Sequence, residues 1–205
     1  KSMQNCGFFN RSKQMSDGID RWMPLMISQD SLIFSSLALS SVQEYLGDTA
    51  NFVPEKNRVV LGDRSWRVSD QANMAVNFTD SIPVYTMSDI MLSFQDYLRG
   101  GDPEVGRDQL EDRIIFIGYT AQSDGDLGIN PVSTLADAGD NEGGQTPMVM
   151  LHAYSANTML ENTDINYLTR KGAIVLSLLL LLLIHVLFRK LPQKMNYLVL
   201  PFVFV

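Results

Sequence analysis

Arg113-Ile-Ile-Phe-Ile-Gly118 sets four consecutive large apolar residues between a charge and a glycine. Such a run predicts a central strand covered on both faces. Downstream, Tyr119 to Pro147 reads as a long glycine-rich loop holding Asp124, Asp126, Asp137, Asp140 and Glu142. Loops of that length inside a compact domain are generally functional or disordered. Thr146-Pro147 then opens a helix predicted over Met148–Leu160, with proline near the first turn. Strand, loop and helix together make an α/β layer.

Upstream of that layer, Trp22-Met-Pro-Leu-Met-Ile27 reads as an apolar strand, with Pro24 favouring an edge or a bulge. Ser28-Gln-Asp30 ends it. A helix is predicted over Ser31–Leu46, capped by Asp30 or Ser31 and stopped by Gly47, because Leu32, Phe34, Leu37, Ala38, Val42, Tyr45 and Leu46 approximate helical spacing. Short strands are expected at Arg58–Leu61, Trp66–Val68, Met74–Phe78 and Ile82–Tyr85, and a short helix from Ser88 through Leu92. The fold class is therefore α/β, a mixed sheet with flanking helices.

The C-terminal side changes character. The chain of 205 residues carries 16 basic and 23 acidic residues, a net charge of −7. Arg170, Lys171, Arg189, Lys190 and Lys194 are followed or joined by no acidic residue, which leaves −12 on the first 169 residues. An acidic surface of that kind excludes a nucleic-acid partner, since phosphate binding needs clustered Lys and Arg. Gly172 to Phe188 holds no formal charge and six consecutive leucines, so it has no polar face to turn outward from a soluble core. At about 1.5 Å per residue it reaches roughly 25 Å, short of a bilayer core of about 30 Å by an amount that the flanking basic side chains cover by snorkelling. The expected organisation is an extracytoplasmic domain over residues 1–164, a linker and transmembrane helix over 165–188, a short basic cytoplasmic loop over 189–194 and the start of a second span over 195–205. A transmembrane helical hairpin thus follows the α/β domain. Three basic residues after the first span against two before it place the loop in the cytoplasm. Both ends read as cuts: Lys1-Ser-Met3 has no signal-peptide pattern and the chain stops inside an apolar run.

Chemistry-bearing residues are few. Cys6 is the single cysteine, so no internal disulfide forms, and no Cys/His spacing of a zinc site occurs. Only two histidines are present, and His185 lies in the membrane run, leaving His152 as the one soluble candidate for a base. No Gly-x-Ser-x-Gly, phosphate-cradling loop ending in Lys, metal-binding His pair or dinucleotide glycine pattern appears. Catalysis within these residues is not expected, nor is a cofactor. Ligand-binding candidates are Asp124, Asp126, Thr146 and His152. Each has a plainer reading. His152 either contacts a ligand or senses pH, or packs at the start of its helix. Asp124 and Asp126 either bind a cation or a ligand amine, or sit in a solvated turn, since they lack the spacing of a calcium loop. Gly172 and His185 are the candidates for a signal-transmitting membrane helix, where an intramembrane histidine is functional, makes an interhelical contact or lies near the interface.

These segments resemble the type 2 CHASE domain, an extracellular sensory domain associated with bacterial cyclases and histidine kinases. Four stretches carry the resemblance. Gly7-Phe-Phe-Asn10 with Asp17-Gly-Ile-Asp-Arg-Trp-Met-Pro-Leu25 looks like that family's strand pair, and Met74-Ala-Val-Asn-Phe78 like its next strand. Ser88-Asp-Ile-Met91 looks like its short helix. Arg113-Ile-Ile-Phe-Ile-Gly-Tyr-Thr-Ala121 with Asp126, Thr146-Pro147 and Leu151-His-Ala153 matches its signature of strand, acidic loop, Thr-Pro and a helix bearing His-Ala. The match runs from about Gly7 to Asn162 and corresponds to the C-terminal part of the domain. Met148-Val-Met150 stands where the family has Pro-Gly-Val, and the loop is longer at Leu135 to Gln145.

The resemblance implies a sensory input domain of a bacterial transmembrane receptor at the inner membrane. Its cytoplasmic output would be an adenylate or guanylate cyclase, a diguanylate cyclase, a histidine kinase or a Ser/Thr kinase. It implies a homodimer signalling through the helix pair, and a small-molecule or protein signal. The competing reading is a membrane-anchored extracytoplasmic module that binds a protein partner and transmits nothing.

Overall fold

The computed structural model describes residues 7–9, 18–53, 56–78, 82–118, 127–129, 131, 145–165 and 170–190. The chain divides into two compact units, Lys1–Ile165 and Asn166–Val205.

In the first unit, β1 (Trp22–Pro24) pairs antiparallel with β7 (Asn73–Ala75), with Trp22 opposite Ala75. The expected single strand changes partner just after Pro24. The Leu25 N–H donates to the Ala72 carbonyl (2.9 Å), and the Leu25 carbonyl accepts from Ser36 N–H (2.8 Å). β2 (Met26–Gln29) then pairs with β3 (Leu32–Ser35). This corrects the helix predicted from Ser31. Asp30 and Ser31 do not cap a helix; both adopt positive φ (50° and 66°), as a two-residue hairpin turn requires. The helix α1 starts one strand later, at Leu37–Leu46, where the Ser36 hydroxyl accepts from Leu39 N–H (3.2 Å). It ends as expected on Gly47 in the left-handed region, φ 70°.

β4 (Asn51–Val53), β5 (Arg58–Leu61) and β6 (Arg64–Arg67) form an antiparallel meander. Val59, Leu61 and Trp66 point from it into the main core with Leu39, Val42 and Met159. The strands expected at Arg58–Leu61 and Trp66–Val68 are thus present, the second shifted to Arg64–Arg67; the one at Met74–Phe78 shrinks to β7. Ile82–Tyr85 is not a strand. Instead Thr86 caps α2 (Met87–Leu98), longer than the helix expected from Ser88 to Leu92. Its hydroxyl accepts from Asp89 N–H (3.2 Å) while the Asp89 carboxylate accepts from Thr86 N–H (2.9 Å), a reciprocal capping box that holds the Asp89 carboxyl below its ordinary value. A short helix, α3 (Arg107–Leu110), follows.

Arg113–Gly118 departs from its prediction. It is not assigned to a strand, and no strand of the described residues pairs with it. Ile114 and Phe116 pack on the main core, whereas Ile115 and Ile117 are 55 % and 81 % exposed. The run is covered on one face only. The expected loop after it also holds structure: β8 (Leu127–Ile129) pairs antiparallel with β9 (Gln145–Pro147). α4 (Met148–Leu160) begins where predicted, directly after Pro147. It packs along α1 and receives the meander at its C-terminal end, where Trp66 Nε1–H donates to the Met159 carbonyl (3.1 Å) and Arg64 to the Leu160 carbonyl (2.6 Å). A second cluster of Met23, Val76, Met148, Leu151 and Tyr154 surrounds its first turns.

The unit is α/β with flanking helices. In place of one mixed sheet, the described residues form four small antiparallel sheets, and parallel pairing is confined to the isolated bridges Phe8 to Ser36 and Ile19 to Ile129.

The second unit contains α5 (Arg170–Lys190). Among the described residues no helix is long and apolar enough to cross a membrane; the continuously described side chains of α5 run from 172 to 186. Its leucines at 178–183 are exposed. The apolar segment over 195–205 lies outside the described residues.

Candidate functional site

The start of α4 is where the chain gathers its unusual polar groups. β8 and β9 bring Gly128 opposite Thr146, and β8 is tied in turn to the chain before β1, since Asp20 N–H donates to the Ile129 carbonyl (2.6 Å). Asp20 is 4 % exposed. With Gly128, Thr146, Pro147, Met148, Leu151 and Phe78 it lines a small open recess of about 10 Å³, room for about one water. Gly128 makes the recess possible: a methyl group there would lie 2.5 Å from Asp20 Oδ2 and 2.7 Å from Met148 Sδ. The apolar wall is stiffened by Phe78, tilted against the ring of Tyr154 with centroids 5.2 Å apart.

One turn into α4, His152 is 1 % exposed and lies under the ring of Phe9, with centroids 4.4 Å apart and planes within 28° of parallel. Burial pushes its pKa down to about 4, against the opposing pull of a hydrogen bond with the Phe9 backbone. Nδ1 has no hydrogen-bond partner among the described residues. Phe9 is held there by a short strap: Phe8 N–H donates to the Ser35 carbonyl (3.0 Å) and the Phe8 carbonyl accepts from Leu37 N–H (2.9 Å). A neutral, ring-stacked imidazole of this kind fits the packing reading of His152, and its burial leaves it no access to a substrate proton.

Of the predicted site residues, Thr146 lines this recess and His152 is not among its lining residues. Asp124 and Asp126 lie outside the described residues. Gly172 and His185 belong to α5 in the second unit, with His185 exposed and Gly172 half-buried. The residue the sequence did not single out is Asp20. It sits inside a stretch read only as a turn leading to Arg21, and its burial depends on Gly128, more than a hundred positions away. Among the described residues no group of three His, Cys, Asp or Glu side chains is placed to hold a metal ion.

The match to known families is decisive at this point: the CHASE2 domain matches residues 1–187. The chain belongs to the CHASE2 domain family. No curated protein and no solved structure matches it. CHASE2 domains are extracellular sensory domains, not catalytic ones, and the match continues from the first unit through most of α5. Within this CHASE2 domain the residues Met148 and Val149, which depart from the expected Pro-Gly-Val, are both buried. A methyl group on Gly128 would meet Met148, and one on Gly118 would lie 2.6 Å from Val149 Cβ. Large side chains at the head of α4 are thus seated against glycines elsewhere in the chain.

Proposed function

We propose that this CHASE2 domain is the extracytoplasmic input module and membrane connector of a bacterial transmembrane signalling receptor. α5 is the spanning helix, and the output is a cyclase or kinase domain on the cytoplasmic side. The observation that carries the reading is the CHASE2 match running on into α5. The uncharged stretch of α5 from Gly172 to Phe188 reaches roughly 25 Å at 1.5 Å per residue, and snorkelling of the basic residues at its ends makes up the difference to a bilayer core of about 30 Å. Arg170 and Lys171 at one end and Arg189 and Lys190 at the other suit the two headgroup layers. The surface around the small recess bounded by Asp20 and Thr146 is the place we assign to the signal, because it joins polar groups to an apolar wall beside the helix that packs on α1. A ligand there biases the receptor only by binding its two conformations unequally.

Topology is the direct test. A fluorescent-protein fusion at Gln193 is expected to fluoresce and an alkaline phosphatase fusion there to stay inactive, placing residues 189–194 in the cytoplasm. The reverse pattern would overturn the orientation. Loss of membrane retention in the full chain would overturn the spanning role of α5.

A further inference from the structure

An α-helix leaves its last four carbonyls without partners of its own and gathers partial negative charge at that end. α4 meets neither need from within, since its last turn holds no basic residue. β6 supplies both from more than ninety positions away. The Arg64 guanidinium donates to the Leu160 carbonyl (2.6 Å), the indole N–H of the fully buried Trp66 to the Met159 carbonyl (3.1 Å), and the Arg67 backbone N–H to the Asp164 carboxylate (3.1 Å). One four-residue strand therefore holds the end of α4 and also the segment that leaves it for α5. Asn162, at φ 53°, turns the chain between the two. Among the described residues, the bond from Arg67 is the only hydrogen bond that ties residues 161–165 to anything beyond α4 itself. Asp164 is half-buried there, while its neighbours Thr163 and Ile165 are exposed.

We propose that β6 is a clasp that passes movement of α4 on to the segment leading to α5, with Arg64, Trp66 and Asp164 as its positioning residues. The bonds make the end of α4, the strand and Asp164 one body, because Trp66 also packs with Met159 in the main core. Without them, residues 161–165 would be bonded only to the helix they leave, and a shift of α4 would be absorbed there by backbone rotation. The other end of α4 lies against Gly128 and Asp20, about 20 Å away for a helix of 13 residues. A helix bonded throughout moves as a body over that distance, and close-packed contacts at its ends switch between discrete arrangements. This role deepens the input-module reading and rests on it, since only a signal at the head of α4 gives the clasp something to pass on.

The test uses the full chain in detergent micelles, carrying Cys6→Ser so that Ile165→Cys supplies the single thiol; Ile165 is 44 % exposed. Its rate of reaction with a maleimide is compared with and without Gly128→Ala, whose added methyl must displace Met148 and Asp20 at the head of α4. With the clasp intact the rate is expected to change about threefold. In Asp164→Ala and in Arg64→Met the same head substitution is expected to leave the rate unchanged. Asp164→Asn, whose amide oxygen still accepts from Arg67 N–H, is expected to restore the response. Each comparison is a ratio within one background, so a merely structural part for the clasp would shift the starting rates and leave the ratio alone. Met148→Ala, which removes bulk at the same place, repeats the measurement if the added methyl prevents folding. An equal ratio with and without the clasp, no response to either head substitution, or a failure of Asp164→Asn to restore it would each overturn the proposal. None of these results bears on the fusions at Gln193, so the membrane topology stands or falls separately.

Discussion

His152 gives this domain a defined response to acid. Its folded pKa is about 4 against an ordinary value of 6.5, because burial under Phe9 disfavours the imidazolium. Above about pH 6.5 both folded and unfolded chains carry a neutral ring and nothing is lost. As pH falls from 6.5 to 4 the unfolded chain takes the proton first, so stability drops through that window, by on the order of 3 kcal/mol in total. Urea unfolding of the wild type and of His152→Leu at pH 7 and pH 4.5 is the check: the difference between their pH dependences should carry this loss, and identical slopes would exclude it. The residue was legible as a candidate from a histidine at the head of an apolar helix. Its role was not, because Phe9 arrives from the far end of the chain. Asp20 was illegible for a related reason. An aspartate next to a turn is ordinarily solvated, and only the missing side chain at Gly128 lets this one sink into the wall of a recess.

At the scale of elements, the Asp30-Ser31 turn is held at a local cost. Two non-glycine residues sit at positive φ where Asn-Gly would fit the same turn without strain. Asp30→Asn/Ser31→Gly is expected to stabilise the hairpin by about 1 kcal/mol, read as a rise in melting temperature. Ser36→Ala, which removes the cap of α1, is expected to cost about 1 kcal/mol in the same assay. These positions also explain why residues 31–46 read as one helix. Leu32, Phe34, Leu37 and Ala38 satisfy helical spacing by count, but Leu32 and Phe34 also satisfy the two-residue repeat of a strand. Ser35-Ser36 offers no stronger stop than any polar pair. By contrast α4 was legible to the residue, because Pro147 allows only one kind of start and its apolar content leaves no competing period. α2 was half legible: its Thr86 and Asp89 form the capping box with an aspartate in the position glutamate usually takes, so its true start passed unnoticed.

For the whole molecule, hydropathy and charge marked out α5 and the acidic unit before it, since both are sums along the chain. Sheet pairing was not legible in that way. β1 meets β7 across some fifty residues and Trp66 meets Met159 across 93, and neither partner carries a local mark of the other. The same limit explains Arg113–Gly118, where composition alone predicted a strand enclosed on two faces and the fold encloses one. That half-covered run has a practical consequence. An apolar run with two isoleucine side chains largely exposed offers surface of the kind from which cross-β aggregates nucleate. Native molecules at high concentration are then expected to seed fibrils well below the melting temperature. Ile117→Lys should lengthen the lag in thioflavin fluorescence without lowering that temperature, and an unchanged lag would place the seed elsewhere in the chain. The useful lifetime of a purified sample would accordingly be governed by how crowded the molecules are, with heat a secondary factor.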